Sequence, residues 1–206
     1  MSLDLIVDTS RLGARLGVFG EGLSRECFKP DAKGESLSAI LEELFAEAGV
    51  ALEQVARVLV LRGPGSFTGL RTGIAFAEGL CFSGRRKLYG VSTLRALLSV
   101  PEGKPSAVLL KARPGFWYFS RGAGELFVPT EVVLREFESF EIGAAVLDSA
   151  AISKPEISAE LAKRHVQILD ESKVGLSSFR KFFDELAPSP VQEANYLQPS
   201  YAEQGH

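Results

Sequence analysis

The sequence predicts an α/β fold, and three observations support this. Short apolar runs typical of buried strands recur along the chain, apolar residues at helical spacing lie between them, and turns rich in glycine and proline separate the two kinds of segment. The first hundred residues follow the order β-β-β-α-β-α-β, which indicates a mixed sheet with helices on its faces. The length of 206 residues suits one large or two small domains.

Three strands open the chain. Leu3–Thr9 is a mostly apolar run, and Ala14–Phe19 and Leu23–Phe28 follow it. Gly20-Glu21-Gly22 separates the last two runs, and its glycines can take the positive φ angle that a hairpin needs. We therefore expect at least two of these strands to be antiparallel.

The clearest predicted helix is Ser36–Ala48. Its apolar residues recur three and four positions apart, while its glutamates fall on the opposite side. Ser36 suits the N-cap position, and Gly49 suits the position just after the helix. The apolar face contains Leu37, Ile40, Leu41 and Leu44.

A strand, a glycine loop and a second helix follow. Ala56–Arg62 is apolar, Gly63–Gly69 reads Gly-Pro-Gly-Ser-Phe-Thr-Gly, and Leu70–Phe82 is helical in pattern. A strand at Lys87–Val91 and a helix at Ser92–Ser99 complete this half. Two prolines and a glycine at 101–105 predict a boundary between domains 1–100 and 101–206.

The second half repeats the alternation more weakly and looks like a reduced domain. Its tail, from Ala187 to His206, carries prolines and little periodicity, so we expect an irregular strap or a frayed end. The predicted strands are Ser106–Ala112, Phe116–Arg121, Glu125–Val128, Ala144–Leu147 and His165–Leu169, and the predicted helices lie near Glu131–Phe137, Ile157–Arg164 and Ser177–Leu186.

The glycine loop has two interpretations. A turn at a helix start can hold an anion, because its N–H groups are unpaired and the helix dipole is positive there, and Arg71 could add a bidentate contact. The glycines equally suit a purely structural turn. No Lys-Ser/Thr pair follows Gly69 as in a Walker loop, and the spacing of Gly63, Gly65 and Gly69 differs from that of the dinucleotide fingerprint.

Two nearby features are equally open. Asp8, with Thr9 and Ser10, ends the first strand, where a carboxylate can bind a metal–phosphate or simply cap the turn. Small residues line the second helix, at a cost of about 1 kcal/mol per glycine. They suit close packing on the helix's own sheet or a seam with another helix.

Other functional classes find little support. The net charge of −3 and a lone basic run at Arg85-Arg86-Lys87 argue against nucleic acid binding by this chain alone. His165 and His206 are too far apart for a metal motif, and Ser66 lies outside a G-x-S-x-G elbow. We expect no cofactor and no metal. No apolar run is long enough for a signal peptide or a membrane span, so we expect a cytoplasmic protein.

The segment from Arg62 to Gly79 resembles the signature of the TsaB (YeaZ) family, accessory subunits in making threonylcarbamoyladenosine on tRNA. Val7–Ser10 and Gly90–Leu94 resemble the same family, in the expected order. The resemblance covers residues 3–99 and is looser beyond. It implies a fold similar to the actin/Hsp70/sugar-kinase (ASKHA) superfamily, with two related domains of which the second is reduced.

The resemblance also implies a scaffold without chemistry. TsaB is the degenerate paralogue of the catalytic TsaD, whose His-x-x-x-His motif is absent from this sequence. The family pairs through two helices, here Ser36–Ala48 and Leu70–Phe82, with TsaD or with a second copy of itself. A small ATPase, TsaE, joins that assembly, and tRNA is met only through the complex. The implied partner surface is Leu37, Ile40, Leu41, Leu44, Arg71, Ile74, Ala75 and Glu78, and the implied vestigial phosphate loop is Asp8, Thr9, Ser10, Gly63, Gly65, Ser66 and Gly69.

The chain departs from the family pattern at three places. Glu35-Ser36 replaces a frequent His-Ser, Lys111-Ala112-Arg113 replaces Asp-Ala-Arg, and Tyr196-Leu197-Gln198-Pro199 follows the usual Tyr-x-Arg ending only in part. The alternative function is a weak nucleotide-binding ATPase that uses Asp8 and the glycine loop. A glycopeptidase activity is disfavoured by the lack of metal ligands and of a nucleophile–base pair.

Overall fold

The computed structural model describes residues 2–32 and 36–198. The chain forms two compact units. The first runs to Thr93 and also includes Gly175–Asn195, and the second consists mainly of Leu94–Val174. Glu35, Pro199 and His206, which the sequence analysis singles out, lie outside the described residues.

A five-stranded mixed sheet forms the centre of the first unit, in the order β3-β2-β1-β4-β5. Neighbours among the first three strands are antiparallel, as predicted, whereas β4 runs parallel to both β1 and β5. All five predicted strands are present, within one or two residues. Their bounds are β1 Leu3–Asp8, β2 Ala14–Gly20, β3 Leu23–Lys29, β4 Val55–Leu61 and β5 Lys87–Val91.

Two helices cover one face of this sheet. Helix α1, Leu37–Ala48, contacts β2 and β3, and helix α2, Phe67–Cys81, contacts β1, β4 and β5. Alternate β1 residues, such as Leu5 and Val7, join both helices in one apolar core. Because side chains alternate across a strand, the remaining β1 residues face the other side of the sheet.

The ends of these helices follow their sequences closely. Gly49 ends α1 in the left-handed conformation with a φ of 65°, as its position predicted. Ser36 precedes α1 without the side-chain capping hydrogen bond that we expected. Helix α2 begins at Phe67, three residues earlier than predicted, because the Ser66 side chain caps it by accepting a hydrogen bond from the Gly69 N–H.

The other face of the first sheet is covered by a segment that comes after the second unit in sequence. A 3₁₀ turn at Leu176–Phe179 contacts β2, and a short helix at Phe182–Glu185 contacts β4 and β5. This pair replaces the continuous helix predicted over Ser177–Leu186. Asp4 is buried on this face and pairs with Arg57 at 2.7 Å and Arg180 at 3.3 Å, so ion pairs also fasten the segment.

The second unit contains another five-stranded sheet, in the order β10-β9-β6-β7-β8. Its strands are β6 Ser106–Arg113, β7 Phe116–Ser120, β8 Glu125–Pro129, β9 Ala144–Leu147 and β10 Gln167–Asp170. The last strand begins two residues later than predicted, since His165 adopts a left-handed φ of 54° just after a helix.

The helices of the second unit are short. In chain order they are α3 Thr93–Leu98, which begins at the boundary, α4 Thr130–Ser139, α5 Ser149–Ile152 and α6 Pro155–Lys163; the helix at Phe182–Glu185 in the first unit is α7. Trp117, Val133 and Leu161 belong to one apolar core under this sheet. Within the described part of the chain, no helix has the length and apolar character needed to cross a membrane.

Candidate functional site

The glycine loop packs directly onto the end of β1. The Ser66 N–H donates to the Ser10 carbonyl at 2.8 Å, and the Thr9 hydroxyl donates to the Gly69 carbonyl at 2.7 Å. Thr9 and Ser10 are both buried. The structure therefore brings together the two sequence segments that the resemblance placed in one loop.

The glycines of the loop are required by this close approach. A Cβ atom at Gly65 would collide with the Ser10 carbonyl oxygen, and one at Gly69 would collide with that of Thr9. Gly63 has a φ of +94°, which side-chain-bearing residues rarely adopt. These contacts directly support the structural interpretation of the loop.

Asp8 takes part in the same turn. Its Oδ1 atom accepts hydrogen bonds from the Ser10 N–H at 2.9 Å and the Ser10 hydroxyl at 2.6 Å, and the residue is buried. This is the turn-capping role that the sequence left open. Among residues 2–32 and 36–198, no group of three or more metal-ligating side chains comes together.

The loop is also held from outside. Its first carbonyl, at Gly63, accepts from the Thr93 N–H at 2.7 Å, and the preceding carbonyl, at Arg62, accepts from the Asn195 N–H at 2.7 Å. The sequence analysis did not predict Asn195 here, because a proline-rich tail carries no periodicity that would place it on a strand.

The eight residues of the implied partner surface separate into two groups. Those that point into the core are Leu37, Ile40, Leu41, Leu44 and Ile74, all less than 9% exposed. Arg71 and Ala75 are exposed, and Glu78 is half-buried. The apolar periodicity of α1 thus marks the face turned to its own sheet, and other residues of α1 face outwards.

The exposed side of α2 is a row of residues three or four positions apart, ending just after the helix. We call this row the α2 stripe, and it consists of Phe67, Arg71, Ala75, Gly79 and Phe82. Phe67 is 56% and Phe82 94% exposed, and the Arg71 guanidinium lies 4.6 Å from the Phe67 ring centroid. A Cβ atom at Gly79 would meet nothing within 4 Å, so the stripe is open between Ala75 and Phe82.

The small residues of α2 lie on both sides of the helix, and those on the inner side support the first alternative, close packing on its own sheet. Ala77 is fully buried and a Cβ atom at Gly73 would collide with Thr9, so these two allow close packing on the sheet. Ala75 and Gly79 face outwards instead. Helix α1 exposes Ala39, Glu42, Glu43, Ala46 and Glu47 on the same side of the sheet; we call these five the α1 face.

In the second unit, the Lys111-Ala112-Arg113 segment makes local contacts at the end of β6. The Lys111 N–H donates to Asp148 Oδ2 at 2.6 Å. Arg113 lies over the rings of Phe116 and Phe127, at 4.4 and 5.2 Å from their centroids. The side chain of Arg113 therefore contributes to packing at the end of β6. His165 is exposed.

A family model described as TsaD, tRNA N6-adenosine threonylcarbamoyltransferase, matches residues 31–171. Among curated proteins, TsaB of Escherichia coli K12 is 28% identical over 95 residues, which are 45% of this chain and 41% of that protein. TsaB of Haemophilus influenzae is 33% identical over 86 residues, 40% of this chain and 36% of that protein. The chain thus spans about two fifths of these relatives.

Proteins named for the transferase are similar too. The tRNA N6-adenosine threonylcarbamoyltransferase of Geobacter sp. strain M21 is 38% identical over 78 residues, which are 38% of this chain and 21% of that protein. This chain is therefore similar in sequence to both kinds of protein.

Solved structures confirm the predicted ASKHA-type fold. A Pseudomonas aeruginosa protein described as similar to peptidase YEAZ has a TM-score of 0.70 at 23% identity, over 96% of this chain and all of that one. YeaZ from the same species has a TM-score of 0.60 at 22% identity, over 83% of this chain and 85% of that one. The ethanolamine utilization protein EutJ of Carboxydothermus hydrogenoformans reaches 0.50 at 12% identity, over 82% and 85%.

Proposed function

The chain belongs to the TsaD family and resembles its TsaB (YeaZ) relatives, and from this premise we propose that it is a docking subunit in the synthesis of threonylcarbamoyladenosine on tRNA. The subunit itself performs no chemistry. A cytoplasmic location, where tRNA is modified, belongs to the same proposal.

The α2 stripe is the observation that supports docking. Gly79 costs the helix about 1 kcal/mol relative to alanine. No close packing within the described chain requires a glycine at this position, because a Cβ atom there would meet nothing within 4 Å. A helix with small residues in its centre lets a second helix approach closely, and exposed aromatic side chains at both ends supply apolar area. Phe67 and Phe82 stand at those two ends.

The partner is a TsaD-type catalytic subunit or, when the chain is alone, a second copy. The chain matches the TsaD model and transferase relatives, so a partner of the same fold offers equivalent helices. In a two-fold pairing α1 of one copy meets α2 of the other. The α1 face carries three glutamates, of which Glu43 already pairs with Lys29 at 2.6 Å, and the α2 stripe carries Arg71, so their charges are complementary. A TsaE-type ATPase and tRNA join only through that complex.

The groups around the glycine loop support a subunit without chemistry. Asp8 Oδ1 and the Ser66 N–H, both candidates for contact with a nucleotide, are engaged by Ser10. A nucleotide-binding ATPase that uses Asp8 and this loop stays a prediction, and titration calorimetry with millimolar Mg-ATP tests it. Measurable binding that Asp8→Ala abolishes would support that alternative.

Light scattering after size-exclusion chromatography tests docking, with the chain alone and mixed with TsaD from its own organism. We expect a homodimer that exchanges into a 1:1 complex. Gly79→Trp fills the open part of the stripe between Ala75 and Phe82 without touching the core, so it should give a folded monomer that no longer binds TsaD. Ala162→Trp, on the exposed side of α6, is the matched control and should behave as wild type. Unchanged TsaD binding by Gly79→Trp would contradict the proposal.

A further inference from the structure

Residues 189–195 form an irregular segment beside β5 and α2, which we call the strap. It lies in the first unit, although it comes after the second unit in sequence. The Ser189 N–H donates to the Leu88 carbonyl at 2.9 Å, on the last strand of the sheet. The Asn195 N–H donates to the Arg62 carbonyl at 2.7 Å, directly before the glycine loop. Backbone hydrogen bonds thus hold both ends of the strap.

Two side chains hold the middle of the strap by its backbone. Glu78 Oε1, on α2, accepts a hydrogen bond from the Gln192 N–H at 2.9 Å. Arg62 Nη1 donates to the Glu193 carbonyl at 3.1 Å. Ala194 packs against the core that α1 and α2 share. A charged acceptor or donor strengthens such hydrogen bonds, so these contacts are the main fastenings.

The fastenings by Arg62 and Glu78 lie at two places, one before the glycine loop and one on α2. Arg62 and Gly63 lie where β4 passes into the glycine loop that leads to α2, and the Asn195 side chain also reaches the Gly63 carbonyl at 3.4 Å. Glu78 lies near the other end of α2, next to Gly79 at the open part of the stripe. The strap therefore holds the start of the glycine loop, which precedes α2, and α2 itself near its C-terminal end.

We infer that the strap positions the glycine loop and α2, with Glu78 and Arg62 as positioning residues that fasten it. The part of this inference that concerns docking rests on the proposed function. The inference gives Glu78 a different role from the one that the resemblance implied, because Glu78 acts by accepting a hydrogen bond from the strap instead of touching the partner. The positioning of the glycine loop by the strap takes place in the free chain and requires no partner.

Replacing Glu78 separates these roles. Glu78→Gln keeps an acceptor oxygen for the Gln192 N–H and loses the charge, whereas Glu78→Ala loses both. Glu21→Ala, at the exposed turn between β2 and β3, is the control for removing a surface carboxylate. Circular dichroism establishes that each variant is folded.

The first measurement is amide hydrogen exchange of the free chain by NMR. In Glu78→Ala we expect the Gln192 and Asn195 amides to exchange about tenfold faster, as the loss of one hydrogen bond implies. The Ser66 and Leu70 amides, which fix the loop and the start of α2, should also exchange faster. Glu78→Gln keeps a neutral acceptor and should show a smaller increase, and Glu21→Ala should match wild type. Unchanged exchange at Ser66 and Leu70 would show that the strap positions nothing, and would overturn the inference.

The second measurement is the affinity for TsaD. We expect Glu78→Ala to weaken binding several-fold and Glu78→Gln to recover most of that loss. Equal loss in both variants would mean that the charge of Glu78 meets the partner directly, which overturns the positioning role. If wild type does not bind TsaD at all, the proposed function fails, while the exchange data still decide whether the strap positions the loop.

Discussion

The two units share one topology but join their central strands differently. In each, the first strand lies in the middle, two antiparallel strands follow on one side, and two parallel strands lie on the other. Asp8 ends the first strand in one unit, and Lys111 lies near the end of the first strand in the other. After the fourth strand, the first unit has the glycine loop and the second has Asp148.

The two units also differ in the helix that follows the fourth strand. In the first unit, backbone contacts hold the turn against β1, and the 15-residue helix α2 comes next. In the second, Asp148 accepts from the Lys111 and Ala151 N–H groups and caps a helix of four residues. Backbone-to-backbone packing leaves room for a long helix with an open face, which the second unit lacks at this position.

The largest effect should come from Gly65→Ala, because the new Cβ atom meets the Ser10 backbone. We expect a loss of at least about 3 kcal/mol in the free energy of unfolding, measured by urea denaturation. Gly143→Ala in the second unit is the matched control. Its Cβ atom would lie 3.4 Å from the nearest atom, so the change should stay within about 0.5 kcal/mol.

Tryptophan and cysteine side chains report on the unfolding of the two units separately. Trp117, the only tryptophan, is buried in the second unit, while both cysteines, Cys27 and Cys81, lie in the first. Thiol labelling should therefore rise at lower urea in Gly65→Ala. A variant as stable as wild type would show that the loop tolerates a shifted backbone, and the contrast between the units would fail.

A smaller effect is expected at Asp148 in the second unit. Asp148→Ala removes a helix cap and leaves the Lys111 N–H without this acceptor, which should cost about 2 kcal/mol. Trp117 fluorescence during urea unfolding measures it. Asp170→Ala, which removes a less buried cap of the same type, should cost under about 1 kcal/mol. If the two substitutions lowered the free energy of unfolding equally, the hydrogen bond from the Lys111 N–H to Asp148 would add nothing to an ordinary helix cap.

The smallest effect concerns pH and the first unit alone. Burial raises the pKa of Cys81 from 9.0 to about 11, against an opposing effect of Arg86. The unfolded thiol therefore ionises first, so this contribution to stability is present below pH 9 and is lost as pH rises from 9 to 11.

The measurement is the urea midpoint of wild type and Cys81→Ala across that pH range. In Cys81→Ala the urea midpoint should fall less steeply as pH rises. Cys27→Ala should keep most of the decline, since Cys27 is less buried. An identical decline in all three proteins would contradict the assignment.

Much of this fold could be predicted from sequence, because strands and α1 have regular apolar patterns ended by glycines such as Gly49. The outward face of α2 could not. Leu41 and Leu44 have the periodicity of a buried face, but periodicity does not say whether a residue is buried by its own sheet or by a partner. The packing of residues 189–195 against the first unit was also not predicted, since the contacts of Glu78 and Asn195 span more than a hundred residues of sequence.

The late position in sequence of the segment that covers the first sheet affects synthesis on the ribosome. Phe183 packs edge-to-face on Tyr89 at 5.3 Å, on the sheet face opposite α1 and α2. Translation adds roughly 5–20 residues per second, so the roughly 90 residues between Thr93 and Phe183 take about 5 to 20 s. During that time the nascent first unit lacks its aromatic cover over Ile6 and Leu59, which are fully buried in the complete chain. Chains interrupted in this interval therefore expose an apolar sheet face and become clients for chaperones or proteases.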